Sequence, residues 1–192
     1  MNYPHWINWN HYFKLQKQEY LTPELFLYNI IDILPKNINT IINFGCASGR
    51  DFKPFNNKYK LIGFDIAPFD EIVWVDKFEN LEYHECSIKD FTEYANNILL
   101  DLSNCLIYTQ GTMMYESKET QENFFIELLK RGCKNFIFNE YLISQPHQVP
   151  GGCLQLNPDY FNIHCFRNGG GLQPYAHISL DVPQDQILNL FK

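Results

Sequence analysis

Positive charge is scarce in this chain. Fifteen Lys and Arg stand against 22 Asp and Glu over 192 residues, a formal net charge of -7, which disfavours a nonspecific grip on a nucleic acid backbone. No run of like charge is long enough to suggest a tail. No apolar stretch approaches the ~20 residues that a membrane-spanning helix needs. The opening MNYPHWINWN has no basic region leading into an apolar run, so no secretory signal and a soluble, cytoplasmic protein are the expectation. The six cysteines, Cys46, Cys86, Cys105, Cys133, Cys153 and Cys165, form no CxxC pair; they read as core thiols rather than a metal site. Neither GxGxxG nor GxxxxGK[ST] occurs, which lowers the odds of a dinucleotide or a P-loop nucleotide. No internal repeat is present.

Apolar content is ample. Hydrophobic residues make up 45% and aromatics 16% of the chain, enough for one folded domain with a sizeable core. Trp6, Trp9, Tyr12 and Phe13 recur at roughly helical spacing, so residues 1–24 read as an N-terminal aromatic helical or lid segment and 25–192 as a single domain. Thr22, Pro23 and Glu24 look like the cap, first-turn proline and first-turn acid of a helix running to Ile33, with Leu25, Tyr28, Ile31 and Ile33 on its apolar face.

Strands are expected at TIINF (40–44), KLIGFDI (60–66), LEYHECSI (81–88), NCLIYTQ (104–110) and KNFIFNEY (134–141). Helices are expected from Asp90 to about Asn97 and from Glu119 to Arg131, the latter stopped by Gly132. Pro54 limits any helix after Gly49, and 67–78 has no helical pattern, so one crossover helix should be short or missing. YFNIHCF (160–166) and YAHISL (175–180), joined by the glycine-rich RNGGGLQP, suggest a hairpin. Alternating strands and helices predict a mostly parallel sheet covered on both faces, with ligands beyond the carboxyl ends of its strands.

Four strand tips follow from that rule. At the first, GCASG supplies small residues that let a ligand approach the backbone and could expose backbone donors to an anion. At the second, Asp65 offers two oxygens that can accept from both hydroxyls of a ribose. The third lies around Ser87 and the fourth at Tyr108 to Gly111.

NFGCASGRDF resembles the first motif of class I S-adenosylmethionine (SAM)-dependent methyltransferases, and LIGFDI, LEYHECSIKDF, NCLIYTQG, the helix from Glu119, KNFIFNEY and the hairpin continue that family's order over about residues 25–180. The resemblance implies a Rossmann-like methyltransferase sandwich: a mostly parallel seven-stranded sheet, an antiparallel terminal hairpin strand, and helices on both faces. It implies SAM as cofactor, held by Asn43, Gly45, Cys46, Ala47, Gly49, Asp65, Ile66, Ser87, Ile88 and Thr109. Asp65 would take the ribose, the Ser87 hydroxyl or the Ile88 backbone the adenine, and the fourth tip would lie near the methyl group. The sequence departs from the family at Asn43, which replaces an acid; at Ala47, which replaces a glycine and requires a permissive backbone angle; and at Ser87, where many members place an aspartate.

The fourth tip, YTQGTMMY, lacks the Asp/Asn-Pro-Pro-aromatic motif of base amino methyltransferases. The short connection after Asp65 resembles ribosomal RNA 2'-O-methyltransferases, but their Lys-Asp-Lys-Glu set is missing. A small-molecule acceptor fits better, with O-methylation of a sugar or another hydroxyl-bearing metabolite as the expectation. Methyl transfer demands alignment, exclusion of water and, for an alcohol, a base within reach. Glu140, His147 and Tyr108 are the candidate catalytic groups; Trp9, Tyr12, Tyr20, Gln110, His164 and His177 are the candidate substrate contacts. The alternatives are a catalytically weakened binding or partner protein of the same fold, an RNA 2'-O-methyltransferase, and a nicotinamide-dependent oxidoreductase. Oligomeric state is open.

Overall fold

A computed structural model describes residues 22–72, 74–98, 100–113, 116–139, 161–168 and 171–178. β-branched and aromatic runs form five parallel strands: β1 (Thr40–Phe44), β2 (Lys60–Asp65), β3 (Leu81–Glu85), β4 (Cys105–Gln110) and β5 (Asn135–Asn139). Their spatial order is β3-β2-β1-β4-β5, a mostly parallel Rossmann-like α/β sheet. β1 is buried at every position, as a central strand covered on both faces must be. Beyond β5, strand β7 (Gly171–Ile178) runs antiparallel to β5 and pairs with β6 (Phe161–Asn168). These two strands extend through much of the glycine-rich segment expected to be loop, with Asn168 paired to Gly171.

Side chains alternate between two cores. On one face Ile42, Phe44, Ile62, Phe64 and Ile107 pack against Phe91 and Ala95 of α2 (Phe91–Ile98) and Phe124, Phe125 and Leu128 of α3 (Lys118–Lys130). On the other, Ile41, Leu61, Leu106, Tyr108 and Ile137 pack against Phe26, Leu27 and Ile30 of α1 (Phe26–Ile31) and against Phe52 and Phe55 of a 3-10 turn (Arg50–Phe55). The cap of α3 is Ser117, whose side chain accepts from the Thr120 N–H. Gly132 ends that helix region at φ +84°.

Helix α1 differs from expectation. It begins at Phe26, with no side-chain cap and no acid in its first turn. Its buried residues are Phe26, Leu27 and Ile30, whereas Leu25, Tyr28 and Ile33 are exposed. The helix is too short for the longer 3.6-residue stripe to apply, and Glu24 is drawn into side-chain bonds elsewhere.

Among its described residues the β2–β3 connection contains one helical element, a 3-10 turn (Phe69–Glu71). Aromatic rings occupy that face in place of a crossover helix. Trp74 packs against Phe69 and Tyr83 with centroids 5.2 and 5.6 Å away, and Phe78 lies 5.9 Å from Phe52. No helix among the described residues is long and apolar enough to cross a membrane.

Candidate functional site

The tips of β1, β2 and β4 converge at the turn Gly45–Gly49. Gly45, Ala47 and Gly49 have φ of +69°, +46° and +72°. Left-handed backbone is strained for Ala47, as the loss of glycine there required. Its N–H donates to Asp65 Oδ2 at 2.8 Å, which holds the strained residue in place. A Cβ on Gly45 would sit 2.0 Å from Thr112 Oγ1, and one on Gly49 would sit 2.9 Å from the Trp74 ring. The loop after β4 and the aromatic β2–β3 connection therefore both press on this turn.

The turn does not present its donors as an anion nest. Gly45 and Cys46 donate to Phe64 O, Gly49 donates to Cys46 O, and Ala47 donates to Asp65. For these four N–H groups this differs from the expectation of exposed backbone donors: the Phe64 and Cys46 carbonyls and the Asp65 carboxylate use them. Asp65 also accepts from the Ala67 N–H at 3.1 Å. Burial pushes its pKa up, against the downward pull of the Ala47, Ala67 and Ile66 N–H groups. A carboxylate offers about four acceptor positions, so Asp65 can organise the turn and still receive a ligand hydroxyl.

At the third tip Ser87 is buried and engaged locally. Its hydroxyl donates to Asp90 Oδ2 at 2.6 Å and accepts from the Asp90 N–H at 3.1 Å. The carboxylate at this tip is thus Asp90, three residues later than the family pattern places it. Ile88 is buried in the core beneath α2 and α3, and Ile66 is half-buried beside Asp65.

A polar cluster occupies the fourth tip. Tyr108 is 1% exposed; its hydroxyl lies 2.6 Å from Gln110 Oε1 and 3.3 Å from Asp51 Oδ2. The core encloses the Tyr108 ring, and its hydroxyl is engaged by Gln110 and Asp51. Gln110 Nε2 donates to Glu24 Oε1 at 2.6 Å, and Arg50 Nη2 donates to the same oxygen at 3.2 Å. Asp51 Oδ1 accepts from the Glu24 N–H at 3.0 Å, and Arg50 Nε lies 3.5 Å from Asp51 Oδ2. Burial pushes the Asp51 pKa up to about 6; Arg50, the Glu24 N–H and Tyr108 oppose this, while the Glu24 charge adds to it.

Sequence reasoning missed Glu24, Arg50, Asp51 and Asp90 as site residues. Glu24 and Gln110 are 86 residues apart, beyond any local pattern. The Arg-Asp pair directly after GCASG was a usable signal: opposite charges embedded among Phe52 and Phe55 need an internal reason to be there.

Two polar atoms near the tips lack protein partners among the described residues. Asn43 Oδ1 and Thr109 Oγ1 are buried without a hydrogen bond. Asn43 is the last-but-one residue of β1, in register with Tyr108.

Glu140 and His147, and Trp9, Tyr12 and Tyr20, lie outside the described residues. The backbone of His164 pairs with Tyr175, and that of His177 with Asn135 and Asn162. Cys46, Cys105 and Cys133 are buried thiols and Cys86 is half-buried. Burial pushes all four pKa values up, which keeps them protonated and unreactive. Among the described residues no group of three His, Cys, Asp or Glu could hold a metal ion.

No family model and no curated protein matches the chain by sequence. Solved structures match it by shape. PigF with SAH (S-adenosylhomocysteine) is 12% identical with a TM-score of 0.51, over 81% of this chain and 61% of that one. Magnesium protoporphyrin IX methyltransferase (ChlM) from Synechocystis PCC 6803 with bound SAH is 9% identical with a TM-score of 0.50, over 78% and 76%. A protein solved in work on the conversion of a disulfide bond into a thioacetal group during echinomycin biosynthesis is 11% identical with a TM-score of 0.51, over 88% of each chain. The chain has the fold of class I SAM-dependent methyltransferases.

Proposed function

We propose that this protein is a SAM-dependent methyltransferase acting on a small molecule, with O-methylation of a sugar or another hydroxyl-bearing metabolite as the finer reading. One observation carries it. Gly45, Cys46, Ala47 and Gly49 spend their N–H groups internally, and carboxylates rim the turn: Asp65, Asp51 and Glu24, with Arg50 as the cation bonded to them among the described residues. A pyrophosphate needs free donors and positive charge, and these four N–H groups are not free to supply the donors. A ligand bearing a sulfonium and an ammonium suits this site, and this disfavours the nicotinamide reading.

The residues at the tips fit such a cofactor. Gly45 and Gly49 let the Thr112 and Trp74 side chains close on the turn, where a Cβ would collide with them. Asp65 would accept from the ribose, Asn43 Oδ1 has acceptor capacity unused among the described residues, and Asp90 or Ser87 would meet the adenine edge. The cofactor, when bound, supplies an electrophilic methyl group. This chain's residues fix the geometry: Tyr108 holds Gln110, and Gln110 with Arg50 holds Glu24 at the β4 tip. Alignment and exclusion of water are the main contributions such a site can make. Glu140 and His147 stand as the proposed groups for deprotonating an acceptor hydroxyl, with Trp9, Tyr12, Tyr20, Gln110, His164 and His177 on the acceptor side.

Calorimetric titration with SAM and SAH, and NAD as control, tests this reading. Saturable binding of the first two and none of NAD is expected, with Asp65→Ala weakening affinity about tenfold or more, the scale of a lost charge-assisted hydrogen bond. Unchanged affinity in Asp65→Ala sinks the assignment of Asp65. The neutral Asn43 favours a second reading, a binding or partner protein without turnover; cofactor binding without methylation of any acceptor in a broad screen would select it.

A further inference from the structure

We propose that Glu24 is the anionic ligand-contacting residue of this site and faces a positive charge on the bound cofactor, an inference that rests on the reading above. The carboxylates at the strand tips differ in what they can offer. Asp65 holds the glycine turn through the Ala47 and Ala67 N–H groups. Asp51 is 6% exposed and is occupied by the Glu24 N–H, Tyr108 and Arg50. Asp90 is tied to Ser87 at the third tip. Glu24 alone of these combines a carboxylate at the β4 tip with a side chain still 21% exposed.

Its position is built rather than incidental. Oε1 receives Arg50 from the turn after the glycine loop and Gln110 from the end of β4, and Gln110 is itself fixed by Tyr108. The Glu24 backbone is anchored in turn by Asp51. Bonds from the turn after the glycine loop and from the end of β4 thus fix a carboxylate that belongs to neither β1 nor β4. On β1 the residue before the last, Asn43, is 3% exposed and its Oδ1 has no partner among the described residues. Asn43 can offer a dipole to a ligand but no charge. Among the described residues Glu24 and Asp51 outnumber Arg50 in this cluster once Asp51 is ionised, and at low local dielectric such an excess attracts a cation.

The positive charge has two sources, the sulfonium and the α-ammonium, and the two ligands separate them, since SAH keeps only the ammonium. Calorimetry of the wild type, Glu24→Gln and Glu24→Asp with each ligand, at low and high salt, reads the effect; thermal unfolding of the same samples verifies folding. Glu24→Gln keeps an oxygen for Arg50 and Gln110 but loses the charge. It should weaken SAM binding about tenfold, within the range for a lost hydrogen bond to a charged group, and flatten the salt dependence, which a purely structural role would not change. An equal loss for SAH assigns the ammonium, a loss confined to SAM assigns the sulfonium, and either outcome supports the proposal. Affinities within about twofold of wild type for both ligands, while Asp65→Ala still weakens them, overturn it and leave the cofactor reading standing. Should Glu24→Gln unfold, a folded Glu24→Asp with wild-type affinity overturns it equally, and weakened binding supports it. A wild type that binds neither ligand removes the cofactor reading and this inference together.

Discussion

Gly45 bears the tightest steric demand in the site. It combines φ +69° with a missing Cβ that would meet Thr112 Oγ1 at 2.0 Å. Gly45→Ala should cost roughly 2–4 kcal/mol from left-handed strain and overpacking, measured by urea unfolding. Adding Thr112→Ala should recover the steric share and leave the backbone share, because the φ penalty does not depend on the neighbour. Ala47 shows how such strain is held: a 2.8 Å bond to Asp65 at the residue itself. The same bond explains why Asp65 matters before any ligand arrives. Sequence alone marked the position of Asp65 at the end of β2, but only the folded turn shows that its carboxylate closes the loop.

Among the elements, the β2–β3 connection is the least regular. Parallel strands usually need a helix to cover the crossover, and here Phe69, Trp74, Phe78 and Tyr83 cover it instead. Trp74 also meets the glycine turn at Gly49, and the N–H of the next residue, Val75, donates to Ser48 O at 3.0 Å. Trp74→Ala should cost on the order of 3 kcal/mol, the scale of a large-to-small core change, and should loosen the glycine turn. Hydrogen exchange at residues 45–49 would show the loosening; protection equal to wild type would separate the two elements. The absence of a helix here was legible, since 67–78 carries no 3.6-residue period. The aromatic replacement was not, because ring-to-ring contacts between residues 52, 69, 74, 78 and 83 have no local signature.

For the whole molecule, Asp51 makes stability depend on pH. Its folded pKa of about 6 lies above the ordinary 3.8, so the native state binds the proton more tightly than the unfolded chain. The stabilisation is complete below about pH 4 and is lost as pH rises through about 6, a change of ~3 kcal/mol. The groups that face it are Arg50, Glu24 and Tyr108. Asp51→Asn removes the titration. The difference in unfolding free energy, wild type minus Asp51→Asn, should therefore fall by that amount between pH 4 and pH 7 in urea titrations; a constant difference would show that Asp51 is solvated in solution.

The sequence by itself determined the parallel sheet, its strand positions, the small-residue turn and the acid at the end of β2. All of these follow from short-range rules: apolar runs that must be buried, and small residues where the backbone must turn. The tertiary structure decided what those rules do not reach. It set α1 with Phe26, Leu27 and Ile30 inward, turned the donors of the glycine loop toward β2, enclosed Tyr108 in the core, and brought Glu24, Arg50, Asp51 and Gln110 together. Burial leaves those polar groups few alternatives to one another, and which partner each one finds depends on how distant segments pack.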